Sequence, residues 1–564
     1  MSAFKLLRER GAGHRGLVGK LAVARVLLGI FVTTAAGRAA TYYVDGRHGS
    51  DQADGISATT AWRSLQQASR APLQAGDRLL LARGQTHGGQ LRFTGLKGTT
   101  EAPITISSYA VKDDVANLPA SIDGRGTPAA LHLLDCSHVI VANLVMTADG
   151  GGWGTDSGKG AEMRCGILVE TVKPGDFEGI ELRDLRVSGV SYHELGFKRP
   201  SDDVKTPNGK SRYGWGVRFI ARNERAKMSH IAVRNSVIER VDHTGLKFTA
   251  PSGGIRDVDV EGVRVLDAGG PGIQLSGVVD GHFSRLYVNR SGSEGDSRNW
   301  GRGSGLWTWD CRNVVIERSE FLNANGPGDS AGVHIDYRCR DVVVQYNLSV
   351  NNAGGFCEIL GDNHNCAYRY NVSVNDGFRV KGRNGAFQEG KTFWLSGYVG
   401  KGKGVGPFNS YFYNNTIYVS AAIEAKMAVA PTAAGVLIAN NIFCLERPSR
   451  SVTGDQLRAD QRGGSALERV YFVNNAFLRV DNWPADLGIH DRAPLIGDPD
   501  FVNRGGARAT DYVPRNVDLV KDRGIRVPYL PGDKVGLRVG LDVAVDFFGH
   551  PIMGAPDLGA IELP

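Results

Sequence analysis

Two acidic residues, Asp336 and Glu358, stand at the same place in two similar segments and could cleave a glycosidic bond together. The segments are GVHID, from Gly332, and GGFCE, from Gly354. If they are neighbouring strands in register, the two Cα atoms lie about 5 Å apart. Carboxylates at that separation are typical of retaining glycosidases, in which one is the nucleophile and the other the acid/base. Close like charges also raise one pKa and leave the other group ionised.

Two other roles for these acids stay open on the sequence alone. They could bind Ca²⁺, or they could be scattered acids on a solvated face. No cluster of Asp residues lies on one strand and no CxxC pair exists, so we predict no bound metal and no cofactor, with Ca²⁺ as the remaining option. The register also depends on taking Gly354, and not Gly355, as the first residue of its segment.

Aromatic and imidazole side chains are expected on the same face as the two acids. Trp307 and Trp309 come one repeat earlier, and two outward Trp residues on one strand expose much apolar area. Their faces could stack on sugar rings, or a loop could simply cover them. His334 precedes Asp336 by two residues and could hold that carboxylate or a sugar hydroxyl. We predict all three as substrate-binding residues.

Basic residues flank the acids along the same face. Lys247, Arg379 and Lys381 could bind a carboxylate or sulfate of the substrate, or merely offset the charge of the two acids. Asp242 and His243 precede a glycine in ERVDHTG and are expected at a corner that borders the site. These five residues complete the predicted substrate-binding set.

The acids belong to seven short segments that share one alternation. Positions 1 and 3 after each initial glycine are mostly apolar, whereas positions 2 and 4 are charged, aromatic or amide. The glycine-to-glycine steps are 29, 27, 33, 27, 22 and 23 residues. The segments are GVRFI (Gly216), GLKFT (Gly245), GIQLS (Gly272), GLWTW (Gly305), GVHID (Gly332), GGFCE (Gly354) and GFRVK (Gly377). Alternation places core residues on one face and the candidate site on the other.

A second strand with apolar alternation lies in each repeat, as in IAVRNS and VVIERS, with no helix between the strands. Short strands recurring at this period predict an all-β protein, a parallel β-helix solenoid. Asn residues recur after the second strand and suit a ladder at a tight corner, because Asn tolerates left-handed backbone. They are Asn235, Asn347 and Asn371, and the NN pairs at Asn414, Asn440 and Asn474.

One β-helix domain is predicted over residues 41–564. Residues 41–75 form an N-terminal cap with a short helix near 61–69, and residues 482–564 form irregular C-terminal strands and a cap. Three long insertions, at 187–215, 291–304 and 382–410, are expected to rise on one side and wall a cleft over the candidate site.

The first 40 residues, 1–40, have the pattern of a secretory signal peptide: a basic beginning, an apolar stretch and small residues at its end. A signal anchor is the alternative. No later stretch is apolar enough to span a bilayer, so we expect no membrane contact after signal removal and a secreted or periplasmic protein. The formal net charge of +7 is modest, and no basic run with interleaved aromatics indicates nucleic acid.

The cysteines allow two arrangements. There are seven of them, and Cys311 and Cys339 occupy equivalent places in adjacent repeats, WDCRNVV and YRCRDVV. They could stack as free thiols inside the coil, which we favour slightly, or form a disulfide.

Two parts of the chain resemble known proteins. GDRLLLARG near the start and the closing PDLGAIEL resemble secreted right-handed parallel β-helix proteins of the pectate-lyase-like group, over residues 41–564. This resemblance is specific for the fold and weak for the reaction. The stretch from HIDYRC through GGFCEILGDN to YRYNVSVNDG is similar to β-helix glycoside hydrolases in which an Asp and a Glu of neighbouring coils act together. The likeness implies Asp336 as nucleophile and Glu358 as acid/base.

The sequence therefore predicts a secreted glycoside hydrolase that acts, with retention, on a polysaccharide or oligosaccharide. The alternative is a lyase or epimerase on a uronate-containing polymer, with Lys247, Arg379 or His334 as base. A third is a carbohydrate-binding β-helix without catalysis. Sugar, linkage and oligomeric state are not given by the sequence.

Overall fold

The structure, a computed structural model, describes residues 39–111, 118–152, 163–400, 403–452 and 469–564. These residues form a parallel β-helix of three sheets, and the predicted all-β solenoid is confirmed. All strand pairings in the three sheets are parallel, and each strand pairs with its equivalent one coil earlier and one coil later. The predicted signal peptide, residues 1–40, lies almost wholly outside the described residues.

The strands divide among the sheets as follows, within the described residues. Sheet 1 contains Thr41–Val44, Arg78–Ala82, Ile104–Tyr109, Val139–Ala142, Gly175–Arg183, Ala226–Arg234, Ile255–Glu261, Val278–Ser284, Arg312–Glu317, Arg340–Gln345, Ala367–Arg369, Phe408–Tyr413, Ala434–Ala439 and Val470–Val473. Sheet 2 contains Leu91–Thr94, Ala129–Leu134, Met163–Thr171, Tyr213–Ala221, Leu246–Thr249, Ile273–Ser276, Leu306–Trp309, Val333–Ile335, Gly355–Ile359, Lys391–Leu395, Lys426–Val429 and Arg450–Ser451. Sheet 3 contains Thr86–Gly88, Ala120–Asp123, Leu144–Asp149, Arg186–Ser191, Val237–Val241, Arg264–Ala268, Tyr287–Asn289, Glu320–Leu322, Leu348–Val350, Val372–Val374, Thr416–Val419, Ile442–Leu445, Ala476–Phe477 and Leu495–Ile496.

The repeated glycines stand where successive coils touch near the start of the sheet 2 strands: Gly216 lies within Tyr213–Ala221, and Gly305 directly precedes Leu306–Trp309. A Cβ on Gly216 would lie 2.3 Å from the carbonyl oxygen of Gly245, and a Cβ on Gly305 would lie 2.4 Å from that of Gly332. Any side chain at these places would push the coils apart and break the sheet pairing. The glycine spacing in the sequence therefore follows from the close stacking of the coils.

Alternate residues of sheet 2 fill the interior, as the repeat pattern predicts. Leu246 and Phe248 are fully buried, and Phe248 stacks on Phe219 of the preceding coil with ring centroids 4.9 Å apart. The intervening residues, such as Lys247, point to the other face of the sheet. This face carries the candidate site.

A ladder of buried asparagines runs up one corner of the coil. Each side-chain amide donates to the side-chain oxygen of the asparagine one coil further, with distances of 3.1, 2.9, 2.9 and 2.8 Å. The members are Asn347, Asn371, Asn415, Asn441 and Asn475. The predicted corner ladder is therefore present from Asn347 onward, whereas Asn235, which was also predicted as a member, is exposed and lies outside it.

Both asparagines of each NN pair contribute to that corner. Asn414, Asn440 and Asn474 adopt left-handed backbone, with φ of 52°, 58° and 60°. These first asparagines also bond to one another from coil to coil, since the Asn440 amide donates to Asn414 at 3.2 Å and the Asn474 amide donates to Asn440 at 3.0 Å, so a second ladder runs beside the first.

Both ends of the solenoid are covered. The N-terminal helix Leu65–Ala68 begins at Ser64, whose hydroxyl accepts from the backbone N–H of Gln67, and it buries Leu65 and Ala68. A second short helix, Val517–Val520, and three 3₁₀ turns, Ala58–Thr60, Ala485–Leu487 and Ala509–Tyr512, complete the described helical segments.

The C-terminal region does more than close the last coil. It runs along the outside of sheet 1, where the Tyr411 hydroxyl donates to Asp533 at 2.6 Å and the Tyr413 hydroxyl donates to the Leu541 carbonyl at 2.7 Å. Leu530, Leu537 and Leu541 pack against those tyrosines. The segment predicted as a cap thus also covers one side of the later coils.

Candidate active site

A cleft of about 610 Å³ lies over the outer face of sheet 2. Its floor is formed by strands between Lys247 and Trp394. Loops contribute Pro207 and Asn208, then Trp300 and Arg302, then Arg379, Gln388, Glu389, Tyr398 and Gly400. All three predicted insertions therefore contribute to its walls, although the third also contains the sheet 2 strand Lys391–Leu395.

Asp336 lies in the cleft immediately after the strand Val333–Ile335. Burial raises the pKa of its carboxyl to about 7, the neighbouring His334 lowers it, and Asp329 and Glu358 raise it again. The indole N–H of Trp307 faces this carboxyl without reaching hydrogen-bonding geometry. At neutral pH Asp336 can therefore hold a proton that an ordinary aspartate would have lost.

Glu358 also lines the cleft, but its predicted register is wrong. Ile335 pairs with Ile359, and Ala331 with Gly355, which places Glu358 beside His334 and two residues away from the level of Asp336. The two-residue offset and one strand spacing separate the Cα atoms by about 8 Å, and not by about 5 Å. The misplacement arises because the segment begins two residues later than the glycine pattern suggested.

Glu358 forms a buried pair with His334. The Nδ1 atom of His334 lies 3.3 Å from a carboxylate oxygen of Glu358, and only 7% and 4% of the two side chains are exposed. Burial alone would lower the pKa of His334, but the bond to Glu358 and its charge raise it above the usual value. The same Nδ1 lies 3.4 Å from the Ser304 hydroxyl, whereas Nε2 has no partner among the described residues.

A third carboxylate of the cleft, Asp329, was missed by the sequence analysis. It lies in the loop before the strand of Asp336, and its side chain is 17% exposed. The Arg302 Nε donates to it at 2.8 Å. Burial opposes ionisation, but Arg302 outweighs it and lowers the pKa of Asp329 below its usual range. Asp329 is therefore ionised where Asp336 is protonated.

The loop that carries Asp329 is held in an unusual conformation. Asp329 and Ser330 both adopt left-handed backbone, with φ of 47° and 66°. Consecutive non-glycine residues in this region are costly and persist only where surrounding structure fixes them. Here Gln388 accepts from the Asp329 N–H at 2.5 Å, and Arg379 donates to the Asp329 carbonyl at 2.8 Å. The Gly-rich loop GPGDSAG carries this aspartate just before the strand of Asp336, but strand alternation does not describe loop positions.

The two predicted tryptophans do lie in the cleft. Trp307 packs near His334 with ring centroids 5.7 Å apart, and Trp309 lies 5.0 Å from the ring of Tyr337. Trp309 is 37% exposed, which is unusual for so large an apolar side chain. An open aromatic face of this kind can receive a sugar ring.

Arg379 and Lys381 do not continue the row of strand residues, so that prediction is wrong. They lie between the strands Val372–Val374 and Lys391–Leu395, and the latter takes the place predicted for GFRVK. Arg379 still lines the cleft, but it donates to the carbonyls of Gln388, Gly326 and Asp329. Lys381 is exposed and does not line the cleft.

Asp242 and His243 are fully buried, and their predicted place at the cleft is wrong. Asp242 accepts from the Ser191 hydroxyl at 2.7 Å and from backbone N–H groups. The His243 ring stacks between Trp215 and Trp300, at 4.0 and 4.5 Å. Both residues anchor the wall loops that cover them, a burial that strand alternation cannot show.

Lys247 occupies the opposite end of the cleft from the carboxylates. It is nearly buried, and its Nζ lies 4.8 Å from the ring centre of Trp215. Its backbone pairs with Arg218 of the preceding coil and with Gln274 of the next. The predicted outward orientation of Lys247 agrees with this position.

Other predictions concern metals, thiols and membranes. In the described ranges no group of three or more His, Cys, Asp or Glu side chains is arranged to hold a metal ion, so Ca²⁺ gains no support. All seven cysteines, including Cys311 and Cys339, are buried free thiols. No helix in the described part of the chain is long and apolar enough to cross a membrane.

Comparison with known proteins gives one sequence relative and several structural ones. No protein-family model matches the chain. The chain is 26% identical to a lacto-N-biosidase of Bifidobacterium longum subsp. longum, over an alignment of 629 positions that covers 94% of this chain and 36% of that protein. The chain thus spans about a third of the length of the curated relative it matches.

The structural relatives share the fold. A GH136 lacto-N-biosidase from Eubacterium ramulus superimposes with a TM-score of 0.51 at 18% identity, covering 81% of this chain and 68% of that one. A pectate lyase superimposes with a TM-score of 0.39 at 15% identity, covering 93% and 96%. At these identities the likeness concerns the parallel β-helix alone.

Proposed function

We propose that the protein is a glycoside hydrolase that acts on an oligosaccharide. The observation that carries this proposal is a walled cleft in which burial raises the pKa of one carboxyl, Asp336, to about 7 while Arg302 lowers the pKa of another, Asp329, below its usual range. Hydrolysis of a glycosidic bond needs one carboxylic acid and one carboxylate across the bond. Pairs of acids whose environments push their pKa values apart mark such acid and base roles.

Asp336 and Asp329 are the pair we propose for the reaction. The sequence alone favoured Glu358 as the partner of Asp336, but Glu358 is 4% exposed and bound to His334, whereas Asp329 is 17% exposed. A group that must touch the substrate needs an open face. Glu358 then acts through His334, which it holds beside Asp336.

The name of the sequence relative supports the choice of substrate. Lacto-N-biosidase is an activity on oligosaccharides, and we propose a substrate that ends in a lacto-N-biose-like disaccharide. The exposed face of Trp309 and the half-buried Trp307 beside it supply stacking surfaces for its rings. Because this chain covers only 36% of that relative, substrate preference is a matter for direct measurement.

Retention of configuration and export are further parts of the proposal. Retention was predicted from a separation of about 5 Å that the Asp336 and Glu358 register does not have, so it now depends on the Asp329 and Asp336 pair. Proton NMR of the first-formed anomer distinguishes the two outcomes. Export is supported by the basic and then apolar pattern of residues 1–40, and N-terminal sequencing of the mature protein tests it.

The test compares Asp336→Asn, Asp329→Asn and Glu358→Gln on an oligosaccharide with terminal lacto-N-biose and on its aryl glycoside. Each Asp variant removes one of the two carboxyl groups that the reaction needs, so both should lose at least ~10²–10⁴-fold in rate on the oligosaccharide. An aryl leaving group needs no proton, so the variant that keeps activity on it identifies the acid. Glu358→Gln should lose much less activity than either Asp variant.

Three outcomes would contradict these assignments. Near-normal activity of Asp336→Asn would remove it from the reaction. An active Asp329→Asn with an inactive Glu358→Gln would restore the pair expected from the sequence. Products of a uronate polymer with the ultraviolet absorbance of an unsaturated sugar would indicate a lyase.

A further inference from the structure

Lys247 lines the end of the cleft that is remote from the carboxylates, and Arg218 lies beside it one coil further out. Their backbones pair directly in sheet 2. Only 7% of Lys247 and 9% of Arg218 are exposed. Both cations face one aromatic ring, since Lys247 Nζ lies 4.8 Å and the Arg218 guanidinium carbon 4.4 Å from the centre of Trp215.

Neither cation has an acidic partner within hydrogen-bonding distance in the part of the chain that the structure describes. Lys247 makes no hydrogen bond or ion pair there, and Arg218 donates from Nη1 to the sulfur of Met163 at 3.0 Å while its Nε has no acceptor. Burial lowers the pKa of Lys247 well below its usual value, and the charge of Arg218 lowers it further. Burial likewise lowers the pKa of Arg218 to about 10.

A buried cation without a nearby opposite charge is unfavourable, and the lowered pKa of Lys247 reflects this cost, because the protein relieves it only by losing the proton or by gaining an opposite charge. A bound anion would supply that charge. Such a pair, with Lys247 at the wall of the cleft and Arg218 next to it, is better explained by a ligand than by folding. The free-energy cost of burying these two basic groups is then offset only when the ligand is bound.

We propose that Lys247 and Arg218 form a subsite for an anionic substituent, a carboxylate or a sulfate, on the sugar chain that the cleft binds. The proposal extends the proposed function, since it assigns a charged group to that substrate. A carboxylate and a sulfate each present several oxygens to a guanidinium and an ammonium, as charge-assisted bonds require.

The path from this subsite to the carboxylates is continuous. Gln274 lies on the next strand beyond Lys247, and its buried Oε1 has no partner among the described residues, so it can accept from a sugar hydroxyl. Trp307 follows on the strand after that, and His334 on the next. Three strand spacings separate Lys247 from His334, about 14 Å along the coil axis. The anion thus binds one part of an oligosaccharide while another part meets Asp336.

The experiment measures binding without turnover, by calorimetry with galactose, galacturonate and galactose sulfate on the mature protein. We expect both acidic sugars to bind at least ~10-fold more tightly than galactose, with the better of the two identifying the anion. Lys247→Met should remove the preference, and Lys247→Arg should keep it. The thermal midpoint of Lys247→Met should be equal to or above that of the wild type, because the variant no longer buries an uncompensated charge.

Equal binding of neutral and acidic sugars would overturn the proposal, as would an acid preference that survives in Lys247→Met. A lower thermal midpoint in Lys247→Met would assign this residue to folding. These outcomes are independent of the proposed reaction, because a protein that hydrolyses nothing can still bind galacturonate. An inactive Asp336→Asn with no anion preference would leave the hydrolase standing without this subsite.

Discussion

The buried pair of His334 and Glu358 allows a quantitative prediction about coupling. Their charged atoms lie 3.3 Å apart with almost no exposure. At about 4 Å, two unit charges interact by about 1 kcal/mol in water and about 4 kcal/mol at an effective dielectric constant of 20. We therefore expect a double-mutant cycle of His334→Gln and Glu358→Gln to give a coupling free energy of about 1–4 kcal/mol at pH 6.

The coupling free energy between His334 and Glu358 should decrease as the pH rises. The folded-state pKa of His334 is raised above its unfolded value, so the stability it contributes is present at low pH and is lost as pH rises through the folded pKa. A smaller fraction of the imidazole is charged at pH 9 than at pH 6, so the coupling should be smaller at pH 9 and approach the roughly 1 kcal/mol of an ordinary hydrogen bond.

Denaturant unfolding of the wild type, both single variants and the double variant, each at pH 6 and pH 9, measures the two couplings. Asn289→Ala, a change remote from this pair, serves as the control and should show the same stability difference at both pH values. A coupling that is equal at pH 6 and pH 9, or smaller than about 0.5 kcal/mol at pH 6, would show that His334 and Glu358 do not form the charged pair. The positioning role of Glu358 would then fail with it.

Two further predictions concern the solenoid. Leu246→Asp should give no soluble folded protein, because it buries an unpaired charge inside the coil, whereas the control Thr249→Asp, on the outward face, should fold. Limited proteolysis of both variants measures this difference. A protease-resistant Leu246→Asp protein would mean that the inward and outward faces are reversed. Asn415→Ala should lower the free energy of unfolding by ~3–5 kcal/mol. The change leaves at least two buried groups, the Asn371 amide and the Tyr368 carbonyl, without their hydrogen bonds. A loss under about 1 kcal/mol would contradict the structural role of the ladder.

The fold was predictable because its signal is repeated. Gly216 and Gly305 meet the same steric demand as their equivalents in other coils, and each repetition strengthens the pattern. The identity of the outward residues followed from alternation. Lys247, Trp307 and Trp309 were therefore placed correctly at the cleft from strand periodicity alone.

The errors at the site arise where one repeat differs from the others. GGFCE offers two glycines, and its strand is in register two residues later than the pattern suggests, so Glu358 lies beside His334. In the next coil the strand Lys391–Leu395 replaces GFRVK, because a longer connection precedes it. A coil of unusual length contains no internal evidence of its register, which only the pairing partners determine.

Residues in loops were the least accessible to sequence reasoning. The orientation of Asp329 depends on Gln388 and Arg379, which come 50 or more residues later in the chain and approach it only after folding. The burial of Asp242 and His243 depends likewise on wall loops that no periodicity describes. Strand positions can be counted from a sequence, whereas loop contacts are set by the tertiary structure.

The stacking of coils also relates the two proposed binding regions of the cleft. Lys247 and Asp336 lie on strands three coils apart, and each coil adds about 4.8 Å along the axis. The distance between an anionic substituent and the reacting bond is therefore fixed in whole coil steps by the backbone, and side-chain movement changes it little. Deleting one complete coil between the two regions would bring them about 4.8 Å closer. If both proposals hold, such a variant should favour a shorter substrate while its carboxylates keep their own geometry.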